Sequence, residues 1–128
     1  MPIYEEYHIH VARRHVTAWT KLLGMSRLES HYVATAISEL ANNLFFHSQS
    51  GGIIHFYHIK KNGKSGIEII AHDKGPGIIN IEQAMQDGFS TNGGLGGGLG
   101  GMQRLMDEFE ITSEAGVGTD IVMRKWVT

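Results

Sequence analysis

Two polar side chains lie one helical turn apart in the segment SELANNLFFH. Glu39 and Asn43 are four residues apart, so in a helix they share one line, and His47 continues that line. The line borders the apolar stripe of the segment instead of opposing it. In that position a carboxylate can orient or deprotonate a nucleophile, and an amide oxygen can complete the coordination of a magnesium ion bound to phosphates. An ordinary solvated helix edge is the alternative.

A second polar site follows a predicted strand in the segment AHDKGPGI. Asp73 comes at the strand end, and Gly75 and Gly77 bracket a proline turn. A buried aspartate in this position can accept a hydrogen bond from an exocyclic amine such as that of adenine. A plain turn with the aspartate as its cap is the alternative. Thr119, in the segment GVGTD, can reach the same pocket or can be an ordinary strand residue after a turn.

The most glycine-rich stretch of the chain is GFSTNGGLGGGLGG, residues 88–101. It has no lysine after its last glycine, which excludes a P-loop, and the chain lacks the V-A-I-K and H-R-D motifs of protein kinases. Gly96, Gly98 and Gly101 match a dinucleotide fingerprint, but no strand precedes them. Glycines allow backbone N–H groups to approach an anion, and a helix that follows points its N-terminus back into the run. A disordered surface loop is the alternative.

The elements that must position these residues follow from the apolar pattern. Residues 3–11 are predicted as a short strand or extended segment and residues 12–24 as a helix closed by its final glycine. Apolar residues at helical spacing predict a long helix that carries Glu39 and ends in Gly51–Gly52. Asn62–Gly63, between two β-rich runs, is typical of a hairpin turn.

The C-terminal half is predicted to contain two more helices and a second pair of strands. The helices are residues 80–88 and 102–109, and the strands are residues 110–115 and 119–127. The two hairpins favour an antiparallel or mixed sheet with the helices on one face, an α+β two-layer sandwich. A linker in the glycine run would leave roughly 27 C-terminal residues, too few to fold alone. We therefore expect one domain, residues 1–128, with the glycine run as a loop inside it.

Composition restricts the class of protein. The net charge of −2 argues against a nucleic-acid partner, which would usually be met by a basic surface. The absence of cysteine excludes disulfides and thiolate zinc sites, and the eight histidines lack the spacing of a metal site. The chain has no apolar run of membrane-spanning length and no apolar leader region. We expect a soluble cytoplasmic protein without nucleic-acid or membrane partners.

Taken in order, these motifs resemble a known superfamily. E-x-x-x-N in a helix, D-x-G-x-G after a strand, a glycine lid before a helix and G-T between strands are similar to the GHKL ATPases, which have the Bergerat ATP-binding fold. The segments TAISELANN, DKGPGI, DGFSTNGGLGGGL, RLMDEF and the final KW resemble the small anti-sigma-factor-type serine/threonine kinases, above all the switch kinases of the stressosome. The resemblance covers Thr35 to Trp126 and is looser before Leu28.

The resemblance implies an ATP-dependent serine/threonine protein kinase that uses Mg²⁺. It makes Glu39 the general base, Asn43 the magnesium ligand within the ATP site, and Asp73 the residue that binds the adenine amino group, with Thr119 supporting it through a water. An ATP lid is expected at about residues 88–101. The other expected ATP-binding residues are Gly75, Gly77 and Ile78 beside the base and Gly96, Gly98, Leu99 and Gly100 in the lid.

The resemblance also implies protein partners. The expected substrates are STAS-domain antagonist or scaffold proteins of a partner-switching module, and the released kinase is expected to bind a downstream phosphatase or another output protein. The alternative is a nucleotide-gated, anti-sigma-like binding protein with little kinase activity. The presence of both Glu39 and Asn43 favours the kinase, because a pure binding protein does not need a general base.

Overall fold

Three helices and five strands form the part of the chain that the computed structural model describes, which is residues 1–47, 51–73, 98–114 and 116–128. The elements follow in the order β1 (Pro2–Ile3), α1 (Tyr7–Leu23), α2 (Arg27–His47), β2 (Gly52–Lys61), β3 (Lys64–Asp73), α3 (Gly98–Leu105), β4 (Glu108–Glu114) and β5 (Gly118–Trp126). The predicted helix at residues 80–88 and most of the predicted lid lie outside the described residues.

The N-terminal segment is helical, so the predicted strand at residues 3–11 is wrong. Only Pro2–Ile3 pairs with the sheet, and α1 begins at Tyr7. His8 stabilises the start of the helix, because its Nδ1 accepts hydrogen bonds from the backbone N–H groups of Tyr4 and Glu5 at 3.2 and 3.1 Å. Ile9 is buried together with later α1 residues at helical spacing, so its apolar side chain belongs to a helix face. The predicted C-terminal cap is confirmed, since Gly24 has a φ of 85°.

Helix α2 is the central helix of the fold. Ser26 and Glu29 form a capping box at its start: the Ser26 N–H donates to Glu29 Oε1 at 2.8 Å, and the Glu29 N–H donates to Ser26 Oγ at 3.1 Å. Six of the seven residues of the predicted apolar stripe are buried, namely Val33, Ala36, Ile37, Leu40, Ala41 and Leu44. The seventh, Phe45, is half-buried and packs against the core. Within the described residues the helix extends to His47, and Gly52 of the predicted end is the first residue of β2.

All the strand pairings are antiparallel, and the sheet order is β1-β2-β3-β5-β4. Asn62 and Gly63 both have positive φ, 53° and 79°, as the tight β2–β3 turn requires. The buried side chains of one sheet face join those of the helices in a single core; on the strands they are Ile3, Ile54, Ile67, Ile69, Ala71, Ile121 and Met123. These findings confirm the predicted α+β two-layer sandwich with helices on one face.

The α3–β4 boundary differs from the prediction of a helix at residues 102–109. Helix α3 spans Gly98–Leu105, and the chain then turns into β4. Phe109 pairs with β5 and points towards the core, so sheet pairing overrides the helical pattern of this segment. Lys125 Nζ donates to the carbonyl of Leu105 at 3.0 Å and so closes the last turn of α3.

Candidate active site

The sheet face that packs against the helices, here called the inner face, has a polar end around Asp73. This residue ends β3, the central strand, and is directly paired with Gly52 on β2 and Thr119 on β5. Alternate residues of β3 before it are buried in the core, so Asp73 continues the inner face of the strand and is itself half-buried. Thr119 is only 7% exposed. The structure therefore brings together the two residues that the sequence predicted to share a pocket.

A third polar residue, Ser113, extends this arrangement onto β4. Ser113 is paired with Thr119, and their hydroxyl oxygens are 3.0 Å apart. The Ser113 hydroxyl also lies 3.2 Å from the Gly118 carbonyl, to which it can donate. When it does so, it accepts a hydrogen bond from Thr119, and the lone pairs of Thr119 are left to accept from a water or ligand.

Sequence reasoning missed Ser113, although a signal was present. In the segment FEITSE, alternation places Ser113 on the same strand face as Phe109 and Ile111, both of which pack against the core. A serine where the alternation of an amphipathic strand calls for an apolar residue indicates a polar site within the face that packs against the helices. The partner of its hydroxyl could not be read from the sequence, because it depends on the β4–β5 register.

Helix α2 carries the other predicted pair. Glu39 is 2% exposed and stands among the buried residues of the stripe, which rules out the solvated helix edge for this residue. Asn43 follows one turn later and is half-buried. A buried carboxylate and a half-buried amide on one helix line have the placement that a catalytic base and a metal ligand need at the margin of a core. The side chain of His47 lies outside what the structure describes.

A glycine brings this part of α2 close to the sheet. A Cβ atom built on Gly52 would lie 2.6 Å from Leu44 Cδ2 and 2.9 Å from the His72 carbonyl oxygen. Leu44 therefore packs directly on the backbone of β2 beside Asp73, because Gly52 and Asp73 are paired. Asn43 precedes Leu44 and so belongs to the turn of α2 that faces this end of the sheet.

The first turn of α3 contains three of the four predicted ATP-binding residues of the lid, Gly98, Leu99 and Gly100. Leu99 and Gly100 are buried, and α3 packs against α2. The N–H groups of a first helical turn lack partners within the helix, so they can bind an anion. The remaining predicted positions, Gly75, Gly77, Ile78 and Gly96, lie outside the described residues.

The donor set suits a magnesium ion held largely by phosphates. Among the residues that the structure describes, no group of three or more histidine, aspartate or glutamate side chains could hold a metal by itself. Mg²⁺ in phosphate sites commonly takes one or two protein oxygens and completes its shell with phosphates and water. The amide oxygen of Asn43 fits that requirement.

In the described ranges, no helix is long and apolar enough to cross a membrane.

Comparison with known proteins assigns this site to a class. Residues 4–125 match the family of histidine kinase-like ATPase domains, so the chain belongs to that family. It is 46% identical over 125 residues to the serine/threonine-protein kinase RsbT of Bacillus subtilis (strain 168), across 98% of this chain and 93% of the relative. It is also 36% identical over 121 residues to the anti-sigma F factor of Thermoanaerobacter sp. (strain X514), across 91% of this chain and 83% of that relative.

A solved structure shows the same fold. The mycobacterial sensor histidine kinase MprB superposes with a TM-score of 0.56 at 19% identity, covering 76% of this chain and 71% of the other. The family match and the similarity to RsbT confirm the GHKL resemblance and the predictions of ATP use and of an enzyme of the protein kinase class.

Proposed function

We propose that this chain is an ATP-dependent serine/threonine kinase of a partner-switching module and that it phosphorylates STAS-domain proteins. The observation that carries the proposal is the buried carboxylate of Glu39, 2% exposed, one turn from Asn43 at the end of the sheet where Asp73 and Thr119 are paired. The similarity to RsbT over nearly the whole chain supports the kinase class. The stressosome type of module is proposed from the resemblance of the sequence motifs. We further propose that residues 1–128 act as one domain, with an ATP lid at about residues 88–101.

Adenine is proposed to bind at the Asp73 end of β3. The Asp73 carboxylate accepts a hydrogen bond from the exocyclic amine, and the Thr119 hydroxyl, oriented by Ser113, holds a bridging water. From the sequence resemblance alone, we propose that Gly75 and Gly77 would let the backbone pass close to the base and that Ile78 would pack on its ring.

The phosphates are proposed to lie between α2 and the start of α3. Asn43 is the magnesium ligand, and bound Mg²⁺ would neutralise charge on the phosphate oxygens. From the sequence resemblance, Gly96 and Gly98 would cradle the phosphates in the lid, with Leu99 and Gly100 beside them. The first-turn N–H groups of α3 add the positive end of a helix dipole.

Glu39 is the proposed general base. Its carboxylate takes the proton of the incoming serine or threonine hydroxyl as the hydroxyl oxygen bonds to the γ-phosphorus and the bond from that phosphorus to the β,γ-bridging oxygen breaks, which releases ADP. Positioning and charge neutralisation supply most of the catalysis in this reaction. A base fixed by helix packing meets the positioning requirement, since the helix holds it without further ordering.

The direct test is transfer of labelled γ-phosphate from Mg-ATP to STAS-domain proteins of the same source. Glu39→Gln should abolish transfer and leave ATP binding intact. Glu29→Gln is the matched control: it replaces another buried glutamate of α2, in the first turn of the helix and away from Asn43, and should keep transfer. Equal loss in both variants would show that Glu39→Gln acts through helix stability, and full activity of Glu39→Gln would overturn its role as the base.

A second candidate is a nucleotide-gated anti-sigma-like binding protein with little kinase activity. The 36% identity to an anti-sigma F factor favours it. It predicts an ATP-dependent, stable complex with a sigma factor and no label on any STAS protein. The kinase predicts labelled STAS protein and release of the kinase from it, followed by binding to a phosphatase or other output protein. We place either activity in the cytoplasm, without nucleic-acid or membrane partners.

A further inference from the structure

Strand β2 has one edge that the rest of the sheet covers only at its start. It lies between β3 and the two-residue strand β1, which pairs with Gly52 and Ile53. Met1 extends this pairing by one residue, because its amino group donates to the Ile54 carbonyl and its carbonyl accepts from the Ile54 N–H, both at 2.8 Å. From there to Lys61, the edge faces no other strand in the part of the chain that the structure describes.

The bonds between Met1 and Ile54 show which backbone groups point towards this edge. Two antiparallel residues that exchange both N–H and C=O bonds form a hydrogen-bonded pair, and such pairs alternate along a strand. The backbone groups of Ile54 therefore point away from β3, and those of Phe56, His58 and Lys60 point the same way. Within the described ranges, no backbone hydrogen bond engages these three residues on that side. Three N–H donors and three C=O acceptors thus line the edge in register with β1.

The edge is regular along its whole length. The pairing of β2 with β3 runs without interruption from Gly52 to Lys61, so the strand has no bulge, and it contains no proline. Bulges and prolines are two of the features by which proteins prevent another strand from adding to an edge. An extended segment can therefore add to β2 as a further strand through main-chain hydrogen bonds.

An aromatic cluster lies beside the edge on the inner face. It consists of His15 and Trp19 on α1 and Phe56 on β2, with ring centroids 4.7 Å apart for His15 and Phe56 and 6.2 Å apart for Trp19 and Phe56. His15 is exposed, and the other two are half-buried. A side chain on an added strand, placed next to Phe56 on the same face, would contact this cluster. The cluster favours an apolar residue at that position.

The far end of the edge is positively charged. Lys60 and Lys61 are both exposed, and Lys64 is paired with Lys61 across the β2–β3 turn. Among the described residues, no carboxylate forms an ion pair with Lys60 or Lys61. Opposite charges on facing residues of neighbouring strands stabilise their pairing, and like charges oppose it. An acidic segment therefore suits this edge better than a second copy of β2, which would bring its own lysines.

We propose that the free edge of β2 binds an extended segment of a partner protein, which adds as a strand antiparallel to β2 and continues the line of β1. The segment is acidic at its N-terminal end, opposite Lys60 and Lys61, and has apolar residues on the inner face opposite Phe56 and His58. Its backbone takes up the three donors and three acceptors of the edge. The antiparallel direction follows β1 and gives the slightly more stable pairing.

This surface is separate from the proposed ATP site. Gly52 pairs with Asp73, whereas His58 lies six residues further along β2, which is roughly 20 Å in a strand. A partner held at the edge would therefore leave the ATP site open. The edge can be tested without nucleotide, so its failure and a failure of the proposed kinase activity are distinguishable.

The probe for the test is a synthetic heptapeptide, acetylated and amidated, that begins with two glutamates and continues with alternating threonine and valine. Amide hydrogen exchange of the full chain is followed by NMR. Without peptide, the N–H groups of Phe56, His58 and Lys60 should exchange much faster than that of Ile54, which is bonded to Met1. Peptide should slow these three in a saturable way. Unchanged exchange at saturating peptide, or slowing that follows the concentration of the chain alone, overturns the proposal.

Two changes remove a single main-chain hydrogen bond. His58→Pro deletes the outward N–H without removing a bond to β3, a position where edge strands tolerate proline, and should weaken peptide binding about tenfold. His58→Ala keeps the N–H and is the matched control, which should bind as wild type does. A peptide N-methylated at the valine opposite His58 loses the facing bond and should bind as weakly, with the protein unchanged. Wild-type affinity for the N-methylated peptide overturns the proposed strand addition.

A charge exchange tests the direction of the added strand. The double variant Lys60→Glu, Lys61→Glu should bind the acidic peptide about tenfold more weakly, and a peptide with two lysines in place of its two glutamates should regain the lost affinity. A peptide with its glutamates moved to the C-terminal end should bind the wild-type chain less well. Equal binding of both peptides to the wild-type chain overturns the proposed direction.

Discussion

Asp73 at the end of β3 lies directly opposite Thr119 on β5, on the inner face of the sheet. One strand further, the Thr119 hydroxyl lies 3.0 Å from that of Ser113. Strand pairing alone fixes these positions, so the three polar groups are preorganised by the sheet rather than by a loop. A rigid acceptor beside an oriented hydroxyl is suited to recognising a flat polar ring such as adenine.

Replacing Asp73 with asparagine should weaken ATP binding about tenfold, because a hydrogen bond to a charged acceptor becomes one to a neutral acceptor. Isothermal titration with ATP measures the change. Asp120→Asn is the matched control, since Asp120 is the next residue after Thr119 but is exposed on the sheet face turned away from the helices. Equal affinity in the two variants would remove Asp73 from the proposed adenine site.

The Ser113–Thr119 contact predicts a coupled effect on ATP affinity. Ser113→Ala should weaken binding severalfold by releasing the Thr119 hydroxyl, and Thr119→Val should weaken it at least as much. The double variant should bind ATP no worse than Thr119→Val alone, because Ser113 acts through Thr119. Thr112→Val, one residue before Ser113 on the sheet face turned away from the helices, should have no effect. Additive losses would mean that the two hydroxyls act independently.

Much of this arrangement could be predicted from the sequence where local signals were unambiguous. Asn62–Gly63 located the β2–β3 turn, and the hairpin placed Asp73 at the end of a strand. The apolar stripe of α2 placed Glu39 and Asn43 on one line. In each case a short pattern matched one secondary structure only.

The errors came where tertiary contacts decide between two local patterns. Ile9 fits both an alternating strand and a helix face, and its burial beside other α1 residues selects the helix. Phe109 continues the helical pattern of the sequence, but its pairing with Met123 of β5 places it in strand β4 instead. The role of Ser113 depends on the same register, which no local pattern encodes.

The close approach of α2 to the sheet predicts that Gly52→Ala is strongly destabilising. Its Cβ would lie 2.6 Å from Leu44 Cδ2 and 2.9 Å from a backbone oxygen, and overpacking of this kind costs about 1–3 kcal/mol. Shifting α2 would also displace Asn43, so ATP affinity should fall. Gly63→Ala is the control. Because Gly63 has a φ of 79°, an alanine there strains the backbone, but it has open space around it and displaces no neighbouring atom. Chemical denaturation and ATP titration of both variants measure the difference, and unchanged ATP affinity in folded Gly52→Ala would contradict the link to Asn43.

Glu29 should make the stability of the fold depend on acid pH. The backbone N–H of Ser26, and further hydrogen bonds from Thr128, hold the pKa of Glu29 below its usual value despite burial, which acts in the opposite direction. In a folded state with a lowered pKa, the ionised form is favoured. The stabilisation is therefore fully present above the unfolded pKa of about 4.3 and is lost as the pH falls through the folded pKa.

Glu29→Gln should accordingly lower the free energy of unfolding by about 1 kcal/mol at neutral pH, since charge-assisted bonds become neutral ones while the capping geometry survives. The difference between wild type and variant should shrink as the pH is lowered from about 5 to about 3, because wild-type Glu29 is then protonated. Urea unfolding at several pH values measures it, with the exposed Glu114→Gln as a control. A difference that stays constant down to the lowest pH would show that the ionised carboxylate is not what ties the start of α2 to Thr128.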